Sequence, residues 1–495
     1  MAHDVIIIGS GIAGMSAAAA LAREGLKVLV LEAHRHPGGL MRVYHRQGQT
    51  LPTGVHQVGS LGEGEILWRY FKYLGILDKA RFARMRDATA FELRLPGLAI
   101  PVNSPEQFRD DMFSTFSSQQ AVLERFFKDL EETVAGFPLY NFGAEGADFA
   151  GTLAGTSLAD YLRGIGASER LAAVLAGIGP FHGVPPSECP VPVHFLVMHS
   201  FLSSTWRVDE HHRPLVDAFT ETLAEAGGIL ICDAEVSAIN VHGGGVSGVR
   251  LTDGREFHAG RVLFTGHPRR LADILPAGSM RPAFFKRVAQ LDETCGVVGV
   301  AAVSDGSAPP PHRGSVMSYD SYDIEAAYRQ RPASRGDAPG MVFADFMSDA
   351  LRPWRLKAIT TTQEDEWERW TSTRTGRRGD DYTRTKADVS RRVLDAACGR
   401  FGIDAASMRI VDAFSPLTVR DFTHSPTCSA YGIRKSISAG SAAGFAARTR
   451  LKGFFLAGQN ILLPGVVGTV ISAMDAVAGI IGRDRFIASV RKASE

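Results

Sequence analysis

The sequence is short of cysteine, of net charge and of unbroken apolar runs, and each shortage removes a class of function. Its five cysteines, Cys189, Cys232, Cys295, Cys398 and Cys428, are scattered over 495 residues. They form no C-x-x-C and no Cys/His cluster, so neither a disulfide framework nor a metal site is expected. The 54 Lys and Arg against 53 Asp and Glu leave a formal charge of +1, which gives no global field to attract nucleic acid. The longest apolar region, 454–481, is broken by Gln459, Asn460, Pro464, Asp475 and several glycines. It reads as buried protein rather than a membrane span. No G-x-S-x-G or Cys/His nucleophile signature is present, and no internal repeat. Only Met1 to His3 precede the first expected strand, so no secretory leader is expected and a cytoplasmic location is the default.

What the chain has is glycine in telling places. Val5 to Ile8 is a short, β-branched apolar run, as for a strand buried on both faces of a parallel sheet. Gly9, Gly11 and Gly14 follow with G-x-G-x-x-G spacing. The first permits a tight turn, the second lets backbone approach a pyrophosphate, and the third lets a helix pack on the strand. That helix is expected from Ile12 to about Glu24, closed by Gly25, with free N–H groups at its start for phosphate. A second strand, Lys27 to Leu31, ends at Glu32, an acid placed to hold a ribose. Motif, strand, helix and acid in register predict dinucleotide binding. A second pair, Gly38 and Gly39, soon follows, which is more typical of FAD than of NAD proteins.

Further along, helices are expected over Glu63 to Leu77 and over Pro105 to about Ala135, and one or two over Ser157 to Ile178. Short strands and turns fill Arg81 to Asn103. The aromatic stripe Met112, Phe113, Phe116, Phe126 and Phe127 has two readings, a core-facing stripe or a lipid-facing surface that would give peripheral membrane contact. Residues 214–267 read as a helix from Leu215 to Ala226, then strands Ile229 to Cys232, Val236 to Val241, Val246 to Thr252 and Val262 to Thr265. Asp253-Gly254 is a hairpin turn. Residues 281–408 look like a separate mixed region, with a loop-rich stretch at 304–339. Near the C-terminus, strand Phe454 to Ala457 leads through Gly458, Gln459 and Asn460 into a helix that begins GVVG at Gly465.

Four stretches, DVIIIGSGIAGMSAAAALA with LEAHRHPGGLM, LPTGVHQVGSLGEG, SPLTVRDFTHSPTCSAYG and FFLAGQNILLPGVVGTVISAMDA, resemble the FAD-dependent amine-oxidase-type superfamily. Within it they resemble the branch of phytoene desaturases, carotenoid isomerases and all-trans-retinol 13,14-reductases. The resemblance is weak over about 80–200 and 280–405. It implies an α/β fold: a Rossmann-like FAD domain of parallel sheet and β-meander, from 1–75, 205–275 and 408–495. A discontinuous mixed α+β substrate domain, from 76–204 and 276–407, would lie over it. By position, Gly9, Gly11, Ile12, Ala13 and Gly14 would hold the pyrophosphate, and Glu32 with Ala33 the adenosine ribose. Gly38, Gly39, Leu40 and Met41 would lie along the ribityl chain and flavin. Val236 would flank the adenine, and Gly458, Gln459, Asn460, Val467 and Gly468 would close over ribityl and isoalloxazine.

The chain departs from the family where Pro52 replaces an acid, where Leu40 replaces an Arg, and where His211-His212-Arg213 replaces a glycine pair. The function implied is an FAD-dependent oxidoreductase acting on C=C bonds of an apolar conjugated polyene or isoprenoid. The FAD would be noncovalent, with NAD(P)H or another electron donor or acceptor as partner. His56 and Tyr431 are the polar residues of the matching blocks expected to face substrate. The alternatives are a flavin amine oxidase and a non-enzymatic prenyl-lipid carrier like the Rab GDP-dissociation inhibitors.

Overall fold

The structure, a computed structural model, describes residues 2–102, 104–141, 153–208, 214–334, 336, 338–347, 353–440 and 444–495. His211, His212 and Arg213 lie outside the described residues. The first sheet is parallel, with strands in the order Ile229–Ile231, Val28–Leu31, Val5–Ile8, Val262–Phe264, Phe454–Leu456. Its strands are apolar at every position, the inner ones covered on both faces and the edge strand Ile229–Ile231 partly exposed. Val5, Ile7, Val28 and Val30 pack toward the helix Ile12–Arg23, while Ile6, Leu29 and Leu31 pack toward the meander Val236–His242, Gly245–Leu251 and Glu256–His258. The helix is closed at Gly25, φ +89°, where Leu26 N–H donates to Leu21 carbonyl at 3.1 Å. The Ala- and Gly-rich helix Gly465–Ile481 packs on it.

The second sheet has seven strands, in the order Met408–Phe414, Gly296–Ser304, Arg355–Thr362, Met341–Met347, Ser315–Tyr319, Phe91–Leu95, Leu98–Val102. All neighbours are antiparallel except Ser315–Tyr319 and Phe91–Leu95. The pairing attaches Met408–Phe414 to this sheet, although the resemblance groups 408 onward with the nucleotide-binding part. Side chains alternate across the strands. Val298, Val300, Val342 and Ala344 pack against the long helix Gly379–Phe401. The opposite alternation, with Met341, Phe343, Asp345, Lys357 and Ile359, faces the interior between the two sheets. The loop-rich reading of 304–339 missed Ser315–Tyr319, all of whose residues are buried.

The aromatic stripe near 105–135 faces inward. Phe108, Met112 and Phe126 are fully buried, Phe116 and Phe127 nearly so. Phe126 meets Phe195 edge-on at 5.2 Å between ring centres. Of the stripe, Met112, Phe116, Phe126 and Phe127 are core, and Phe113 is half-buried against them. Among the described residues no helix is long and apolar enough to cross a membrane.

Candidate active site

The glycine motifs converge at the C-terminal edge of the parallel sheet. A Cβ on Gly14 would stand 1.9 Å from the Gly9 carbonyl oxygen, and one on Gly9 2.6 Å from Thr265 Oγ1. These two glycines permit strand, turn and helix to meet. Gly11 differs: a Cβ there would meet nothing within 4 Å. It looks onto open space at a helix start that no side chain caps, which is a cradle for an anion. The other motifs close around it. A Cβ on Gly39 would meet Gly11 Cα at 3.0 Å, and one on Gly458 would lie 3.9 Å from Ala13 Cβ.

Ser10, between the first two glycines, ties these pieces together. Its N–H and hydroxyl both donate to Glu32 Oε2, and its Oγ accepts from Gly38 N–H at 2.9 Å. Glu32 Oε1 accepts from His34 N–H at 2.8 Å. Ala234 N–H donates to the Glu32 carbonyl, so the meander strand that starts at Val236 begins beside the ribose acid. Asn460 Oδ1 accepts from Ile433 N–H at 2.9 Å, and its carbonyl accepts from Lys435 Nζ at 2.7 Å. Burial, and then nearby Arg287, push the Lys435 ammonium down to about 7.

A cavity of about 1290 Å³ runs from this edge under the seven-stranded sheet. Of the residues singled out from the sequence, Leu40, His56, Tyr431, Val467 and Gly468 line it. Gly9, Gly11, Ile12, Ala13, Gly14, Glu32, Ala33, Gly38, Gly39, Met41, Val236, Gly458, Gln459 and Asn460 stand outside its wall. The inner part is apolar, with Phe181, Leu196, Phe201, Met317, Met341, Phe343 and Ile359. The mouth is polar, with His34, Arg35, Arg42, Lys386 and Asp412, and Phe422 beside them.

An ionic cluster stands at and behind the chamber wall, reaching it at His56 and Lys357. Asp345 and Lys357 are direct cross-strand partners. Asp345 Oδ2 lies 3.3 Å from His56 Nδ1, and Arg207 Nη2 bonds the other oxygen. Burial alone would raise the Asp345 carboxyl, but Arg207, His56 and Lys357 together hold it below its ordinary value. His56 is lowered by burial and by Lys357, against the raising influence of Asp345. Lys357 donates to the carbonyls of Pro52 and Thr53 at 2.7 and 2.9 Å, and burial pushes its ammonium down to about 8. Backbone carbonyls thus face a lysine in the segment where the family carries an acid. Tyr431 is raised by burial and then by Cys295. Its N–H donates to Thr294 Oγ1 at 3.0 Å.

Sequence reasoning missed Ser10, Arg42, Arg207, Asp345 and Lys357. The signal for the last two was a charge inside an otherwise apolar strand, MVFADFM and RLKAI. Arg42 offers a guanidinium two positions after the expected one. Its Nε donates to Gly39 carbonyl at 2.8 Å and its Nη2 to Phe422 carbonyl at 3.1 Å.

Compared with known families, residues 12–481 match the model described as flavin containing amine oxidoreductase. The chain belongs to that family. It is a flavin-dependent oxidoreductase with the α/β fold expected from its motifs. The open cradle at Gly11 and the uncapped helix start fit the pyrophosphate of FAD. The chain is 25% identical over 536 residues to the all-trans-retinol 13,14-reductase of Homo sapiens, covering 98% of this chain and 86% of that one. It is 27% identical over 289 residues to the chloroplastic prolycopene isomerase of Arabidopsis thaliana, covering 53% and 47%. The structure of wild-type putrescine oxidase with putrescine bound superposes with a TM-score of 0.67 at 16% identity, over 98% of this chain and 100% of that one. That likeness is one of fold.

Proposed function

We propose that the protein adds or removes hydrogen at C=C bonds of an apolar conjugated polyene or related isoprenoid, or isomerises such bonds with its flavin. The observation that carries this reading is the apolar inner chamber, with Phe181, Phe201, Met341 and Phe343 facing the wall that holds His56 and Tyr431. Relatives named for retinol reduction and prolycopene isomerisation support it. The flavin supplies hydride transfer. The chain's residues bind, orient and exclude water. Gly9, Gly11, Ile12, Ala13 and Gly14 hold the pyrophosphate, and Glu32 and Ala33 the ribose. Gly38, Gly39, Leu40, Met41, Gly458, Gln459, Asn460, Val467 and Gly468 line the ribityl and flavin part, with Val236 at the adenine. The FAD is noncovalent, and an external donor or acceptor such as NAD(P)H completes the cycle. His56 and Tyr431 face the substrate. The parts contributed by 1–75 and 205–275 make the cofactor domain, with the last segment starting after Phe414.

An amine oxidase is the less suitable reading. The amine oxidase name belongs to the family model as a whole, while sequence relatives matched over 98% of this chain are named for retinol reduction. Drawing substrate from a bilayer by peripheral contact belongs to the polyene reading. The support is Phe422, 41% exposed at the basic mouth. Anaerobic mixing of oxidised and photoreduced enzyme with all-trans-retinol, prolycopene and putrescine tests the proposal. Polyene-dependent flavin bleaching or reoxidation, or isomerised product, is expected. Reaction with putrescine alone would overturn it. Flavin that stays with the protein after acid denaturation would overturn the noncovalent part.

A further inference from the structure

Behind the chamber wall, His56 joins Asp345 and Arg207 in one ionic cluster. Its members come from three segments: His56 follows a glycine turn, Arg207 lies in the strand Thr205–Val208, and Asp345 lies in the middle of a buried strand. The two carboxylate oxygens of Asp345 are divided between them, Oδ2 toward His56 and Oδ1 toward Arg207. Arg207 is itself anchored, Nη1 donating to the Phe346 carbonyl at 3.1 Å. A carboxylate held ionised only accepts, so the proton of the neutral imidazole sits on Nδ1. Nε2 is then the unprotonated atom of a ring that lines the cavity and meets Phe343 at 5.6 Å between centres. The next residue supplies an independent sign that this wall expects a ligand. Gln57 is 8% exposed and lines the same cavity. Its Oε1 accepts from Ser315 Oγ at 2.6 Å, while its buried Nε2 has no hydrogen-bond partner among the described residues.

We propose that Asp345, clamped by Arg207, is a positioning residue that fixes the proton of His56 on Nδ1, making Nε2 the proton acceptor and donor for the substrate. This rests on the C=C reading above. In the oxidising direction FAD would supply the acceptor for one hydrogen, taken with its electron pair as hydride. The adjacent C–H bond leaves its pair to the new C=C bond, and its proton passes to Nε2. In the reducing direction the imidazolium returns that proton while hydride arrives from reduced flavin. Three charged groups face His56: Asp345, whose hydrogen bond and charge favour the imidazolium, and Lys357 and Arg207, whose charges disfavour it. Charge and orientation therefore have separable signatures.

The test uses holoenzyme labelled with 15N-histidine, the His56 resonance being assigned by its loss in His56→Gln. The wild type is expected to show the Nδ1–H tautomer and a titration below that of free histidine. Asp345→Asn should move the titration further down and lose the single tautomer. Lys357→Met, which leaves Asp345 and Arg207 in place, should move it up. With all-trans-retinol or prolycopene as probe, His56→Gln should lower kcat about 100-fold with little change in KM, in the range of general acid–base catalysis. Asp345→Asn should lower kcat at least about tenfold, with its acid limb displaced in step with the NMR titration. An Nε2–H tautomer in the wild type, a His56 titration indifferent to both Asp345→Asn and Lys357→Met, or full kcat in His56→Gln would overturn the proposal. If every polyene fails to react, the function reading falls. The tautomer and titration still decide whether Asp345 positions His56.

Discussion

The nucleotide cradle and the substrate chamber meet at one edge of one sheet, yet they are built on opposite plans. The floor of the cradle is made of residues close in sequence, and Thr265 and Gly458 close it from later strands. Gly9, Ser10, Gly11 and Gly14 form a single turn, and Glu32 reaches back 22 positions to Ser10. The chamber is made of residues from distant parts of the chain: His56 and Asp345 are 289 positions apart, and Arg207 and Asp345 138 apart. In the cradle backbone shape sets the space, and at Gly14 only glycine lets strand, turn and helix meet. In the chamber side chains from several distant segments set the lining. Local patterns therefore specify the first region and leave the second open.

The largest expected effect separates two glycines inside the cradle. Gly14→Ala puts a methyl group against the Gly9 carbonyl, where it cannot fit. The expected result is little soluble folded protein, read by circular dichroism and thermal melting. Gly11→Val projects into open space, so the fold should persist while flavin is lost. A folded Gly11→Val protein with one FAD per chain, measured by absorbance after heat release, would break the comparison.

A second variant sharpens the chamber side. Phe343→Ala removes a ring that meets His56 and Phe181. Flavin content should be unchanged, and kcat/KM for a polyene should fall about tenfold, equivalent to about 1.4 kcal/mol. Loss of flavin instead would mean that the two regions are one cooperative unit.

The smallest expected effect is a pH shift. Lys357 lowers His56, so in Lys357→Met the neutral imidazole appears only at higher pH. The acid limb of oxidative turnover should move up by less than about one pH unit. The wild-type ammonium itself titrates near 8, so the two profiles should converge above that value. A downward shift, or no shift in the pH–rate profile, would contradict the electrostatic assignment.

The same division explains what could be read in advance. The strands Val5–Ile8 and Val28–Leu31, the helix between them, the meander and the return strand Val262–Phe264 all stood in the sequence, because an unbroken apolar run bounded by glycine has few other folds. Ser315–Tyr319 did not, since its order comes from neighbours on both sides rather than from its own pattern. The stripe around Phe126 was legible as helix but not as core or surface. Helical spacing fixes a face without saying what lies opposite, and here Phe195 does. His56 could be proposed from its glycine-rich segment. Its partner Asp345 could not, because only the register Asp345–Lys357 of two distant strands brings the charges together.

The pairing of Val262–Phe264 with Phe454–Leu456, and of the helix Ile12–Arg23 with Gly465–Ile481, has a consequence for biosynthesis. The first helix leaves the ribosome about 440 residues before its packing partner, a delay of roughly 20–90 s at ordinary translation rates. Throughout that interval its Ala-rich flank has no native cover, and the cradle lacks Gly458, which lies against Ala13. The side of the cradle that Gly458 closes is therefore completed only when the last strand of the sheet is made. A nascent chain halted before Phe454 carries the complete G-x-G-x-x-G motif without the strand and helix that pack beside it.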